Sequence, residues 1–351
     1  MTTRDKAEDQ KRNTEARGKL NLRGLAQALI GIIALALVIM KSDMRGLWDV
    51  IKSARIAYLP LAVIASFAVT WLMAYRWSAI LKVRGYSIKS HHLFCYYLIG
   101  IFFMNFVPGG GISGDVARLI YVDREVRDKA FVLSTLVYER LVGGFIILLI
   151  GLISTIASRQ YIRADEIIVA SEAMLAVVII TAIMLMSNYV SSKLARLCRF
   201  LGARFSAKRA GEAAARTLEA ISEFRKHPQM LAVTISLSVL IRVVWGLGCY
   251  IVALALGLPL DLPIVFAFIS LVDLVRMLPI SVGGLGVREW LIIALFASAG
   301  VEREQALAFS LLAFAPIYLN AIAGGIVYVS MAKLRRAEQR VADLDFKRSE
   351  V

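Results

Sequence analysis

Runs of apolar residues that a soluble fold has no use for constrain this chain more than any other feature. Leu25–Met40 carries no charge, and Ile167–Met186 carries one acid, Glu172. About 20 apolar residues cross the hydrocarbon core of a bilayer as a helix. The runs are continuous rather than alternating, which argues against a membrane barrel. With 59% of its 351 residues hydrophobic, the chain reads as an all-α polytopic membrane protein.

Full spans are expected at 25–40, 57–75, 131–157, 167–187, 230–257 and 306–331, six in all. Two further apolar segments, 93–107 and 264–278, run straight into proline–glycine stretches. The net charge of +15 does not mark a nucleic-acid partner, because the basic residues gather in loops between apolar runs. That is the pattern of cytoplasmic loops facing anionic headgroups. Of the 41 Lys and Arg, thirty fall in 1–24, 76–92, 116–130, 188–229 and 332–351. Eight fall in the alternate set, 41–56, 158–166, 258–263 and 286–305. The other three, Arg140, Arg242 and Arg276, sit inside apolar segments.

This asymmetry is consistent only if 93–115 and 264–287 each enter and leave on one side. We therefore read two re-entrant hairpins, the first from the cytoplasm and the second from outside, with both termini cytoplasmic. The short run Trp290–Ala299 is then an interfacial or half-membrane helix after the second hairpin. The chain divides into a disordered basic tail (1–24), a first membrane repeat (25–160, hairpin 93–117), a second (161–331, hairpin 264–288, basic loop 188–229) and a tail (332–351). The halves have opposite orientation, the inverted-repeat plan of many transporters. In loop 188–229, Leu194, Leu197, Leu201 and Phe205 among Lys and Arg suggest a basic amphipathic helix lying on acidic lipid.

The two stretches are N-F-V-P-G-G-G-I-S-G-D-V-A-R, Asn105–Arg118, and M-L-P-I-S-V-G-G-L-G-V-R-E, Met277–Glu289. Irregular backbone survives at membrane depth only where protein buries it or it lines a wet cavity. A half-helix ending near Pro108 and another starting near Ser113 or Asp115, both good N-caps, would aim free N–H groups at an anion. The candidate headgroup path is Gly109, Gly110, Gly111, Ser113, Gly114, Asp115 and Arg118, with Gly283, Gly284, Gly286, Arg288 and Glu289 opposite. The same glycines would also serve close helix packing, and spacing alone leaves both readings open. Intramembrane charges add Glu139, Arg140, Arg242, Asp273 and Arg276, which are costly in lipid and face a cavity or a partner. Asp273 and Arg276 share a helix face and can pair. Arg242 has no local acid and needs a partner from another helix or a ligand. Glu139 or Asp273 is placed to carry a coupling proton.

Cys95, Cys198 and Cys249 lie far apart without metal spacing, and His91–His92 lacks further ligands at helical spacing, so no metal is expected. There is no nucleotide-binding loop and no other cofactor motif.

The paired stretches resemble those of the lysylphosphatidylglycerol synthase transmembrane-region family, which includes the amino-terminal flippase domain of the multiple peptide resistance factor. The resemblance covers roughly residues 20–335. It implies a flippase-like membrane domain with inverted repeats in a bacterial inner membrane. It also implies that Asp115, Arg118, Arg288 and Glu289 lie in the lipid pathway. In the full-length resistance factor a cytoplasmic aminoacyl-transferase domain follows. This chain stops about twenty residues after its last span, so synthase activity is not expected and the protein reads as a transporter rather than an enzyme. The partners implied are membrane lipids with anionic headgroups, a lipid-synthesising enzyme and a second copy of the chain. Two other functions fit the same residues: a membrane-embedded lipid transferase, or a scaffold that transports nothing.

Overall fold

The computed structural model describes residues 29–108, 111–158, 188–204, 208–277 and 280–349. The expected span 167–187, together with Gly109, Gly110, Pro279 and Phe205, lies outside them. Among the described residues the chain is all helical, with twelve α-helices and no strand. They are α1 Leu29–Met40, α2 Met44–Ser53, α3 Leu59–Leu81, α4 Ser90–Phe106, α5 Gly111–Val126 and α6 Lys129–Ala157. Then follow α7 Asn188–Arg204, α8 Lys208–Glu223, α9 Pro228–Ala255, α10 Leu262–Met277, α11 Val287–Ala297 and α12 Arg303–Ser349.

Among the described residues, four helical segments are long and apolar enough to cross a membrane: Ile56–Arg84, Lys129–Ala157, Pro228–Ala255 and Arg303–Lys333. They match the expected spans 57–75, 131–157, 230–257 and 306–331. The described part of 25–40 is the shorter apolar helix α1. Helix starts follow from local chemistry. Asp128 caps α6, its carboxylate accepting from Phe131 N at 3.1 Å. Pro228 opens α9, where its missing N–H costs nothing. The outer faces of the long helices expose Ile64, Trp71, Ile153, Leu240 and Ile326, as helices bordering lipid do.

Helices α4 and α5 fold back on each other as a hairpin. Tyr96 stacks on Tyr121 at 5.3 Å near its open end, Gly100 faces Gly114 along its arms, and Ser113 meets Phe103 near its tip. Helices α10 and α11 form the second hairpin, with Phe268 against Phe296 at 5.6 Å. Three expectations are corrected here. The segment 116–130 is not a loop, because α5 continues to Val126 and leaves a two-residue link at Arg127 and Asp128. The Trp290–Ala299 run does not follow the second hairpin but forms its return arm α11, burying Ile292, Leu295 and Phe296. Loop 188–229 is a helical pair, α7 with α8, docked on the body through the buried Ile221 and Phe224. Leu197 and Leu201 of α7 are exposed, as an amphipathic surface helix requires.

Packing divides into two main apolar cores. One gathers Trp77, Tyr97, Phe131 and Tyr138 from α3, α4 and α6. The other gathers Phe268, Phe296, Phe309 and Phe314 from α10, α11 and α12. Close backbone approach joins elements of the two halves. A side chain on Gly324 of α12 would collide with the Leu98 carbonyl of α4, so only glycine fits there.

Candidate functional site

One cavity, about 320 Å³, draws its lining from both hairpins and from the long helices α3, α6, α9 and α12. It is lined by five arginines, Arg76, Arg118, Arg140, Arg242 and Arg276, and three acids, Asp115, Glu139 and Asp273. Each charge has a local reason for its place.

On the first side, Glu139 of α6 is 5% exposed. It accepts from Arg76 Nη2 at 3.3 Å and from the Tyr97 hydroxyl at 2.6 Å. It also pairs with Arg118. The Arg118 guanidinium lies over the Tyr97 ring, 3.7 Å from its centre, with the Trp77 ring at 4.2 Å. Ring faces carry partial negative charge and hold a cation in this way. Asp115 accepts from Arg118 Nη1 at 3.4 Å and from Arg140 Nε at 2.5 Å.

The second side repeats this scheme. Asp273 accepts from Arg276 Nη1 at 3.4 Å, three residues along the same helix, and from Arg242 Nη1 of α9 at 2.5 Å. Trp245 Nε1 adds a third donor at 2.9 Å, and Ser270 accepts from Arg242 Nη2 at 2.8 Å. The sides are linked through Ser238, one turn from Arg242, which accepts from Arg76 Nη1 at 2.8 Å.

The two charged pairs do not hold equivalent places in the hairpins. Asp115 and Arg118 follow the first glycine break, whereas Asp273 and Arg276 precede the second. The residues that do follow the second break, Arg288 and Glu289, pair with each other and are 2% and 0% exposed. They stand outside the cavity, with Arg288 against Phe314, 4.4 Å from its ring centre. Glu289 also accepts from Gly286 N at 2.7 Å, capping α11.

The glycines divide between cavity and packing. Gly111, Gly114, Gly283 and Gly284 line the cavity. Gly283 and Gly284 have φ of +62° and +79°, a left-handed turn that other residues resist, and Gly283 lies against Asn105 of the first hairpin. Gly114 also serves packing, since a Cβ there would sit 2.6 Å from the Gly100 carbonyl. Gly286 is a packing position, tight against Gly31 and Ala34 of α1. The N-cap roles expected of Ser113 and Asp115 are corrected, because α5 begins at Gly111 and both lie inside it. The Ser113 hydroxyl instead donates to the Phe103 carbonyl at 3.0 Å, beside the Val107 N–H that closes the end of α4 at 2.9 Å.

Sequence reasoning missed Arg76, Tyr97 and Asn320. Arg76 was assigned to a loop at 76–92, yet it is buried within α3. Its signal was the apolar run Trp77–Leu81 that continues beyond it, whose Trp77, Ile80 and Leu81 are buried. Asn320, 1% exposed, donates to Ser66 Oγ at 2.9 Å and to Thr70 Oγ1 at 3.1 Å, and lines the cavity. Several polar groups around the site have no hydrogen-bond partner among the described residues. They are Nε of Arg76, Arg118, Arg242 and Arg276, Oγ of Ser281 and Oδ1 of Asn320.

Helical hairpins tipped with glycine around an arginine-rich cavity define a polytopic membrane protein with a buried polar site. The profile of the lysylphosphatidylglycerol synthase TM region matches residues 24–324, and the chain belongs to that family. It is 25% identical over 296 residues to a UPF0104 membrane protein of Methanothermobacter thermautotrophicus, covering 80% of this chain and 87% of that one. A UPF0104 membrane protein of Pyrococcus horikoshii is 25% identical over 333 residues, covering 87% and 97%. One from Methanocaldococcus jannaschii is 24% identical over 271 residues, covering 73% and 79%. No solved structure matches the chain significantly.

Proposed function

We propose that the protein translocates a phosphate-bearing lipid between the leaflets of the cytoplasmic membrane, with the cavity as the headgroup site. The observation that carries this reading is the surplus of charge: five arginines against three acids line a cavity reached by both hairpins. A net positive wall inside an apolar protein is expensive unless an anion enters it. Arginine matches phosphate geometrically, because its planar fork donates two parallel hydrogen bonds. The volume lies near the lower end of small-molecule sites, about 300–1,000 Å³, which suits a headgroup whose acyl chains remain in the bilayer.

The reading extends to mechanism. The hairpins belong to an inverted repeat and rock against one another about the Asn105–Gly283 contact, opening the cavity to each face in turn. The ion pairs on Asp115 and Asp273 open to release arginine donors toward phosphate and close again when it leaves.

A photo-crosslinking residue at Met104, inside the cavity, tests this. With a headgroup-labelled phosphatidylglycerol, crosslinking is expected from Met104 and not from Ile322 on the exposed face of α12. No headgroup label at Met104, with the protein folded, would falsify the assignment.

A further inference from the structure

The cavity charge is shared equally between its two sides. The first side sets Arg76, Arg118 and Arg140 against Asp115 and Glu139, a surplus of one positive charge. The second sets Arg242 and Arg276 against Asp273, again a surplus of one. Arg288 and Glu289 neutralise each other behind the wall and leave this balance unchanged. The two surpluses sit on different sets of helices, with acids already committed: each Asp accepts from two arginines, and Glu139 from two arginines and a tyrosine. Among the described residues lining the cavity, no acid on either side is left to absorb the other side's charge. Each side also holds arginine Nε atoms without a partner among the described residues, on Arg76 and Arg118 at one side and on Arg242 and Arg276 at the other.

We propose that the ligand carries two negative charges, one for each side of the cavity, as a headgroup with two linked phosphates does. This rests on the reading of the cavity as a headgroup site. A headgroup with one charge neutralises one side and leaves a buried, uncompensated positive charge on the other, which low dielectric makes costly. A headgroup with two phosphates meets both. Two sources share this chemistry: a diphosphate on a polyprenyl chain, with adjacent phosphates, and a cardiolipin, with phosphates joined through glycerol.

The test is competition binding to the full-length protein in nanodiscs of zwitterionic lipid. The probes are two pairs, each setting two charges against one: cardiolipin with phosphatidylglycerol, and a glycosyl polyprenyl diphosphate with a glycosyl polyprenyl monophosphate, in which every phosphate is esterified and carries a single charge. In at least one pair the two-charge lipid is expected to bind about tenfold more tightly, and that pair identifies the source. Arg118→Gln and Arg276→Gln, on opposite sides, are each expected to bring that preference close to one, while Arg118→Lys and Arg276→Lys keep most of it. If Arg118→Gln does not fold, Arg140→Gln tests the same side from a more exposed position. Equal binding within both pairs, or a preference that survives both Gln variants, overturns the proposal in favour of a single charge visiting each side in turn. Binding of none of the four lipids overturns the headgroup reading itself.

Discussion

The two sides of the cavity reach the same net charge by different constructions. On the first side the buried charged groups Arg76, Arg118 and Glu139 all face the cavity, and the carboxylate of Glu139 joins Arg76, Arg118 and Tyr97. On the second side one arginine–carboxylate pair, Arg288 with Glu289, is withdrawn behind Phe314, and only Arg242, Arg276 and Asp273 face inward. The contrast separates two uses of buried charge. Glu139 holds the cavity wall together. Glu289 holds a helix start together through Gly286 and takes no part in the wall. Position after a glycine break therefore does not decide whether an arginine belongs to the site. The helix opposite decides it.

The largest expected effect breaks this contrast at its centre. Glu139→Gln leaves Arg76 and Arg118 without their shared carboxylate, which costs about 3–5 kcal/mol. It should lower the thermal unfolding midpoint in detergent and weaken headgroup binding together. Glu289→Gln leaves Arg288 unpaired and should lower the midpoint by a comparable amount, yet the folded fraction should bind lipid as before. If Glu289→Gln removed binding while Glu139→Gln spared it, the assignment of roles would be reversed. Gly324→Ala, far in sequence from both breaks, pushes α12 from α4 at the Leu98 carbonyl and should cost about 1–3 kcal/mol by overpacking. Denaturant unfolding reads it directly, and an unchanged midpoint would show that the helices separate freely there.

The smallest effect concerns the helical pair outside the bundle. Hydrogen bonds from Arg216 and Arg199 hold the Glu212 carboxyl below the usual carboxylate range. A depressed folded-state value contributes stability above the unfolded carboxylate range, and that stability is lost as pH falls through the folded value. Protection factors in α7 and α8, which remove the intrinsic pH dependence of exchange, should therefore be unchanged between pH 8 and pH 6 and fall only in stronger acid, below the reference glutamate value of about 4.3. A fall near pH 6 would point to another group.

The sequence made visible what depends on runs and breaks. The four long spans among the described residues, the glycine turn at Gly283 and Gly284 and the i,i+3 pair of Asp273 with Arg276 follow from local pattern. Arg242 needs a partner from another helix or a ligand, and Asp273 of α10 is a partner of the first kind. What depends on the facing helix was hidden. Arg76 looked like the end of a span because charge usually marks one, but helix α3 carries it five residues further, to Leu81. Tyr97 and Asn320 are unremarkable inside apolar runs, and only the geometry brings them to Glu139 and to Ser66. Ser113 had the composition of a helix cap, but its hydroxyl lies against the Phe103 and Val107 carbonyls at the end of α4 instead. The withdrawal of Arg288 and Glu289 could not be read either, since their spacing from the glycines is close to that of Asp115 and Arg118.

The central claim is that a lipid headgroup passes through this cavity. Leaflet exchange tests it most directly: the purified protein is reconstituted with headgroup-labelled phospholipids and polyprenyl phosphates, and exposure is scored with a membrane-impermeant quencher. The account predicts exchange of at least one labelled lipid. It predicts a loss of about tenfold or more in Arg118→Ala and again in Arg276→Ala, one from each side of the cavity. Exchange that proceeds equally well in both variants, with both folded, would contradict it.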